Sequence, residues 1–352
     1  CSGGRSSCGG WCSKPPTTTP TLPCRRDLFT GRWGHPFNTW DRMERDVPTL
    51  AGRLRAEGYT TGLVYDTPMF MTEGNNLDRG FGSIEWIRGQ GGEPWISDGF
   101  IDVPWPGGED KVKPGVQRYL ANMSRRLFET DYLGPQVMQK AVHWLERNYT
   151  RENFFLWIDS WDPHEPWDPP QHYVDLYDPD YEGDELIYPC YGFIDEIMSE
   201  REAQHVRALY AAETTMVDRW LGYLLDSIEL FGLREDTMVV LMSDHGHYFG
   251  DHGLQGKPWG DLGQLYEPMA HLCFMVQHPQ ADPGRSDALV QPGLQQGLSE
   301  SRQKTPCEKL ARLKNAVPSA SAGEQPPPHA RGNNGQRARR RAHCARGTRS
   351  VP

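Results

Sequence analysis

The sequence predicts an α/β protein whose helices flank a mostly parallel central sheet. Three observations carry this expectation. Stretches with helical apolar spacing alternate with short apolar runs of strand length. Prolines open the helical stretches and glycines close them. Asp and His residues follow directly on two of the apolar runs, and ligands of open α/β sheets sit at the carboxyl ends of strands.

Taken in order, residues 1–20 read as an irregular lead ending in Pro15-Pro16-Thr17-Thr18-Thr19-Pro20. A short helix is expected over Thr21–Arg32, with proline in its first turn and a stop at Gly31. Pro48–Glu57 repeats that pattern, with Leu50 and Leu54 on one face and Gly58 as the stop. Tyr59–Val64 reads as a strand. Residues 72–130, rich in Gly, Trp and Asp, read as long loops near the active face. Pro135–Asn148 places Val137, Met138, Ala141, Val142 and Leu145 at helical spacing, and Phe154–Ile158 follows as a strand. Glu200–Phe231 is a long helix whose inner stripe is Val206, Leu209, Tyr210, Val217, Leu221, Leu224, Leu225 and Ile228. Thr237–Met242 is an apolar run of buried-strand length, and His271–Gln277 supplies a further strand.

With 352 residues, 37% of them hydrophobic, the chain is long enough for one large domain with an appendage. Its mean hydropathy of -0.69 fits a soluble protein. No apolar run reaches transmembrane length and no charged-then-apolar leader opens the chain, which starts at Cys1 rather than Met, so its true beginning is expected to lie upstream. Residues 301–352 hold 12 Lys and Arg against 2 Asp and Glu, whereas residues 1–300 hold 25 against 45. The basic end is Arg-, Pro-, Gly- and Ala-rich and lacks aliphatic periodicity, so it reads as disordered or out-of-frame sequence rather than a nucleic-acid module. The expected organisation is an irregular head over residues 1–16, a catalytic domain over 17–297 and a low-complexity tail over 298–352. Of the 8 cysteines, only Cys24, Cys190 and Cys273 lie in the body. Their scatter makes neither a disulfide framework nor a zinc spacing, which favours a reducing compartment such as the cytoplasm over a periplasmic or secreted one.

Four groups of residues could carry chemistry. Asp244 and His245 emerge at the end of the run 237–242 and suit a divalent cation such as Ca²⁺, Mn²⁺ or Zn²⁺. The bland alternative is a helix-capping Asp beside a solvated His. Lys257, behind Gly256, could neutralise an oxyanion, although a lone lysine is ordinarily solvated surface. His164, in Asp162-Pro163-His164-Glu165-Pro166, follows the strand at 154–158 and could donate to substrate oxygens or a leaving group; the alternative is a structural imidazole paired with a carboxylate. Thr21 opens a helix, where free N–H groups and the dipole favour an anion and an attacking alkoxide, and Arg25 returns one turn later to fork onto a sulfate or phosphate. Against this, the commonest duty of a threonine at that place is capping.

Over roughly residues 17–297 the chain resembles the sulfatases of the alkaline phosphatase superfamily. Ser243-Asp244-His245-Gly246 and Gly256-Lys257 match the family's strand-end motif, and Pro163-His164-Glu165-Pro166 matches its Pro-His-x-Pro segment. Its nucleophile segment, Cys or Ser, any residue, Pro, Ser, Arg, then Leu-Thr-Gly-Arg, appears here as Thr21-Leu22-Pro23-Cys24-Arg25, then Phe29-Thr30-Gly31-Arg32. The resemblance implies an alkaline-phosphatase-like sandwich and a metal-dependent hydrolase of sulfate esters. It also implies one divalent cation, Ca²⁺ first with Mn²⁺ or Zn²⁺ as alternatives, on Asp244 and His245. Thr21, Arg25, His164 and Lys257 take the catalytic roles. The implied partner is a small-molecule or carbohydrate sulfate, phosphate or phosphonate ester, with no nucleic acid and no membrane.

Three positions depart from the family pattern. A sulfatase nucleophile is Cys or Ser oxidised to formylglycine, whereas Thr21 cannot become an aldehyde and Cys24 sits three positions late. A threonine hydroxyl can attack directly, as in related phosphodiesterases and pyrophosphatases; a phosphodiesterase or phosphonate monoesterase on the same scaffold is therefore the first alternative function. The paired aspartates expected upstream are absent, since residues 1–20 hold no Asp or Glu. The usual Lys and His after the strand near Val64 are replaced by Tyr65-Asp66-Thr67-Pro68-Met69-Phe70. An inactive binding protein or a broken fragment is the alternative from a different class.

Overall fold

The computed structural model describes residues 21–32, 41–71, 75–97, 111–113, 115–257 and 266–285. The expected head and tail lie outside them. The elements run α1 (Leu22–Thr30), α2 (Leu50–Ala56), β1 (Thr60–Tyr65), β2 (Ser83–Trp86), α3 (Val116–Met123), α4 (Leu133–Asn148) and β3 (Phe154–Asp159). They continue with α5 (Gln171–Val174), β4 (Gly192–Phe193), α6 (Ile194–Ile197), α7 (Glu200–Leu230), β5 (Val239–Met242), β6 (Tyr248–Phe249), β7 (Leu254–Gly256), α8 (Glu267–Ala270) and β8 (Phe274–Gln277).

Strands β2, β1 and β3 form a parallel sheet in that order, with Gly62 opposite both Ser83 and Leu156. Successive side chains of a strand point to opposite faces, and this sheet uses both. Val64, Phe154, Leu156 and Ile158 pack with Val137, Ala141 and Leu145 of α4 and with Leu224 and Ile228 of α7. Leu63, Tyr65, Phe155 and Trp157 pack on the other side with Leu22 and Phe29 of α1 and Ala51 of α2. Helices on both faces of a parallel sheet make the sandwich that the alternating pattern predicts. A third apolar cluster seats Trp167, Tyr173, Val174 and Leu186 against Val206, Leu209, Ala212 and Met216, on the N-terminal half of α7.

Local signals explain most boundaries. Gly31 terminates α1 in the left-handed conformation, its N–H donating to the Asp27 carbonyl. Thr49, not Pro48, caps α2, its hydroxyl accepting from the Gly52 N–H. Ser199 and Glu202 close a capping box at the start of α7. Two readings need correction. Residues 72–130 are not loops throughout: they contain β2 and α3. Leu225 is 39% exposed, while Ala212 and Met216 take places on the buried stripe of α7. The strand near 271–277 pairs antiparallel with β5, opposing Met242 to Phe274.

His205 of α7 ties down the loop before β4. Its Nδ1 lies 2.9 Å from Asp178 Oδ2 and its Nε2 3.1 Å from Glu185 Oε2, and its ring stacks on Tyr181 at 3.6 Å. Arg201 holds the same Asp178 through both carboxylate oxygens at 2.6 and 2.7 Å. Burial works against the charged imidazole, but the Glu185 and Asp178 hydrogen bonds outweigh it and raise the His205 pKa. A raised pKa adds stability that is complete below the unfolded histidine pKa of about 6.5 and lost as pH rises through the folded value. Urea unfolding from pH 5.5 to 9 is therefore expected to show stability falling with pH in wild type. The slope should be shallower in His205→Gln; equal slopes would remove the tie.

Candidate active site

All four candidate groups arrive at the carboxyl edge of the strands. Thr21 sits at the N-terminus of α1 with φ 65° and ψ -87°, a conformation that a β-branched residue rarely adopts. Its side chain makes no capping hydrogen bond. Instead Oγ1 lies 3.3 Å from His245 Nε2. Capping does not explain this threonine; backbone strain, of order 1–3 kcal/mol at such positions, accompanies a hydroxyl turned toward the end of β5.

His245 is held ready to receive it. Its Nδ1 is 2.9 Å from the Gly246 carbonyl, so Nδ1 carries the proton and donates, leaving a lone pair on Nε2. Burial lowers its pKa despite the adjacent Asp244, so the ring is neutral at pH 7. Gly246 permits the turn, because a Cβ there would meet the Pro268 carbonyl oxygen at 1.7 Å. Asp244 Oδ2 stands 3.6 Å from His245 Nε2.

Arg25 differs from expectation. Its guanidinium does not face open space but bridges three elements. Nε donates to both Asp159 oxygens at 3.0 and 3.2 Å, and NH2 donates to Asp159 Oδ1 at 2.7 Å. NH1 donates to Asp244 Oδ2 at 2.5 Å and to the Thr21 carbonyl at 3.2 Å. Thr67 and Trp157 add hydrogen bonds to Asp159. Burial opposes the charge on Arg25, but Asp159 and Asp244 outweigh it and raise its pKa further. Burial likewise would raise Asp244, yet the Arg25 guanidinium holds it well below the usual carboxylate range. Asp159 is a site residue that sequence reasoning passed over, although it ends the strand preceding His164.

The second half of the site lies on the loops after β3 and β7. His164 Nδ1 is 2.6 Å from the Glu165 carbonyl and Nε2 is 2.8 Å from Lys257 Nζ. The imidazole therefore donates from Nδ1 and accepts from the lysine through Nε2. Burial pushes its pKa well below the ordinary value, with Lys257 adding to the shift. Lys257 also donates to Glu165 Oε2 at 3.2 Å. Gly256, at φ 85°, is required before it, since a Cβ there would meet Tyr191 Cδ1 at 2.0 Å. The His164 loop is pinned from below by the Trp161 N–H on Asp66 Oδ1 at 2.6 Å, and by Gln90 and the Gly134 N–H on Asp162 at 2.9 Å each. The rings of His164 and His245 meet edge-on at 6.3 Å, so the two halves share one space. Cys24 takes no part as a nucleophile: burial, with Asp244 adding, pushes its thiol up to about 12.

The donor set accommodates part of a cation shell. Asp244 Oδ2 and Thr21 Oγ1 each lie near His245 Nε2, at 3.6 and 3.3 Å, and the Nδ1 hydrogen bond to Gly246 orients the imidazole as metal-bound histidines are oriented. Among the described residues no third His, Cys, Asp or Glu joins Asp244 and His245.

A parallel sheet sandwiched by helices, with a strand-end Asp-His pair, a threonine at a helix start and a buried Lys-His couple, defines a hydrolase-type α/β fold of the alkaline phosphatase kind. The sulfatase family model matches residues 13–271, and the chain belongs to that family. It is 26% identical over 297 residues to the multifunctional alkaline phosphatase superfamily protein PehA of Trinickia caryophylli, covering 68% of this chain and 55% of that one. It is 33% identical over 148 residues to an ulvan-active sulfatase of Formosa agariphila, covering 42% of this chain and 27% of that one. The chain thus spans about half or less of these relatives' length. The crystal structure of a phosphonate monoester hydrolase of Agrobacterium radiobacter shares the fold, with a TM-score of 0.55, 18% identity, and coverage of 74% of this chain and 59% of that one.

The strain at Thr21 has a measurable consequence. Thr21→Gly relieves the backbone and is expected to be no less stable than wild type in urea, by up to about 1–2 kcal/mol in its favour. A loss of more than about 1 kcal/mol would show that the threonine is not strained there.

Proposed function

We propose that the chain is a hydrolase of sulfate esters in which the Thr21 hydroxyl attacks the ester directly. The single observation that carries this reading is the uncapped, strained Thr21 with Oγ1 against His245 Nε2 and Asp244 alongside. Arg25 fixes the Thr21 carbonyl and the Asp244 carboxylate, so the attacking oxygen has one position. A divalent cation held by Asp244 and His245 would supply positive charge that eases ionisation of the hydroxyl and neutralises the substrate oxygens. Lys257 has three N–H donors; one faces His164 and one faces Glu165, leaving the third for the transferring group or the departing oxygen. His164 assists by accepting from Lys257 rather than by donating itself. As the Thr21 Oγ1 bond to sulfur forms and the hydroxyl proton passes to solvent, the bond from sulfur to the departing oxygen breaks and that oxygen takes a proton from Lys257. Water then cleaves the threonyl ester, releasing sulfate and restoring the hydroxyl, and Lys257 regains its proton from solvent. The names of the relatives favour this substrate class, one of them an ulvan-active sulfatase.

A second reading, hydrolysis of a phosphonate monoester or phosphodiester on the same residues, is favoured by one feature. Thr21 cannot form the aldehyde of a sulfatase nucleophile, while a hydroxyl serves equally well against phosphorus.

Parallel assays with aryl sulfate and aryl phosphonate esters separate the two. Thr21→Ala and Asp244→Ala are each expected to lower kcat/KM by about 10³-fold or more on the preferred ester, and Thr21→Ser to retain most of it. Turnover unchanged in Asp244→Ala, or equal loss in Thr21→Ser and Thr21→Ala, would end this assignment.

A further inference from the structure

Glu165 is fully buried, with 0% exposure, yet five side chains from four other segments and its own loop meet its carboxylate. Lys257, following β7, donates to Oε2 at 3.2 Å, and Lys113, preceding α3, donates to Oε1 at 3.3 Å. Tyr191, preceding β4, donates its phenol to Oε1. His164 Nδ1 lies 3.3 Å from Oε2, and His247 Nδ1, following β5, lies 3.7 Å from it. Lys113 also sits 3.0 Å above the Tyr191 ring. A carboxylate is rarely buried without partners, and here both oxygens are saturated by charged or polar groups. The Glu165 carboxylate thus faces two ammonium groups.

We propose that Glu165 is a positioning residue, a buried counter-charge that holds Lys257 and His164 at the mouth of the Thr21 site. This inference rests on the functional reading above. Without the carboxylate, Lys257 would keep only the His164 nitrogen and would turn from it toward water. The order of contacts is then Glu165 to Lys257 to substrate, with Glu165 itself touching none of the reacting atoms.

The isosteric Glu165→Gln and the shorter Glu165→Asp test this beside Lys257→Met. Glu165→Gln should lower kcat about 10²-fold with KM changed less than about threefold, and Glu165→Asp should recover part of kcat. The double variant Glu165→Gln with Lys257→Met should be no slower than Lys257→Met alone, because both act through one ammonium. A readout independent of turnover follows acetylation of Lys257 by acetic anhydride at pH 8, scored by mass spectrometry against the exposed Lys140. Labelling is expected to rise about tenfold or more in Glu165→Gln. Additive loss in the double variant, or labelling equal to wild type, would overturn the proposal. If wild type turns over neither ester while Lys257 labelling still rises, the functional reading fails and the positioning of Lys257 stands.

Discussion

One buried guanidinium organises this molecule. Arg25, on α1, reaches across the carboxyl edge of the strands to Asp159 at the end of β3 and Asp244 beyond β5, while holding the backbone of Thr21. Strands β3 and β5 belong to different hydrogen-bonded sheets among the described residues, so this ion triad joins what the ladders do not. The charge balance is two carboxylates against one guanidinium. Breaking a buried pair by deleting one member leaves an uncompensated charge, a loss of about 3–5 kcal/mol in comparable cases. Strain at Thr21 persists because the same guanidinium grips its carbonyl.

The second half of the site follows a different rule. Around Glu165 the excess is positive, with Lys113 and Lys257 both directed at one carboxylate. Two clusters of opposite balance thus abut, an acidic one around Arg25 and a basic one around Glu165. The body as a whole is acidic, yet close contacts rather than net charge decide what such a closed site accepts.

Much of this was legible in the sequence, and the misses share one cause. The motifs Ser243–Gly246 and Gly256-Lys257 and the segment around His164 announced themselves because motif residues sit close together and follow apolar runs. The helices α1, α4 and α7 were readable from Gly31 and from the helical spacing of their apolar residues. Arg25's true partner was not readable, since Asp159 lies 134 positions away and any exposed oxyanion would have satisfied the same fork chemistry. Glu165 escaped for the same reason: its lysines come from positions 113 and 257, and only folding brings them together. Strand β2 is four residues long, Ser83-Ile84-Glu85-Trp86, too short for an alternation to stand out from loop sequence.

Helix α7 runs 31 residues, from Glu200 to Leu230, and a helix of that length measures about 46 Å. Its first half is embedded with Trp167 and Leu186 beneath the loop region, and its second half lies under the parallel sheet. Trp220 packs against both clusters. A single rod shared by two apolar clusters couples their melting: one cannot loosen without pulling on the other. The domain should therefore exchange its core amides in one cooperative step rather than shedding its loop region first.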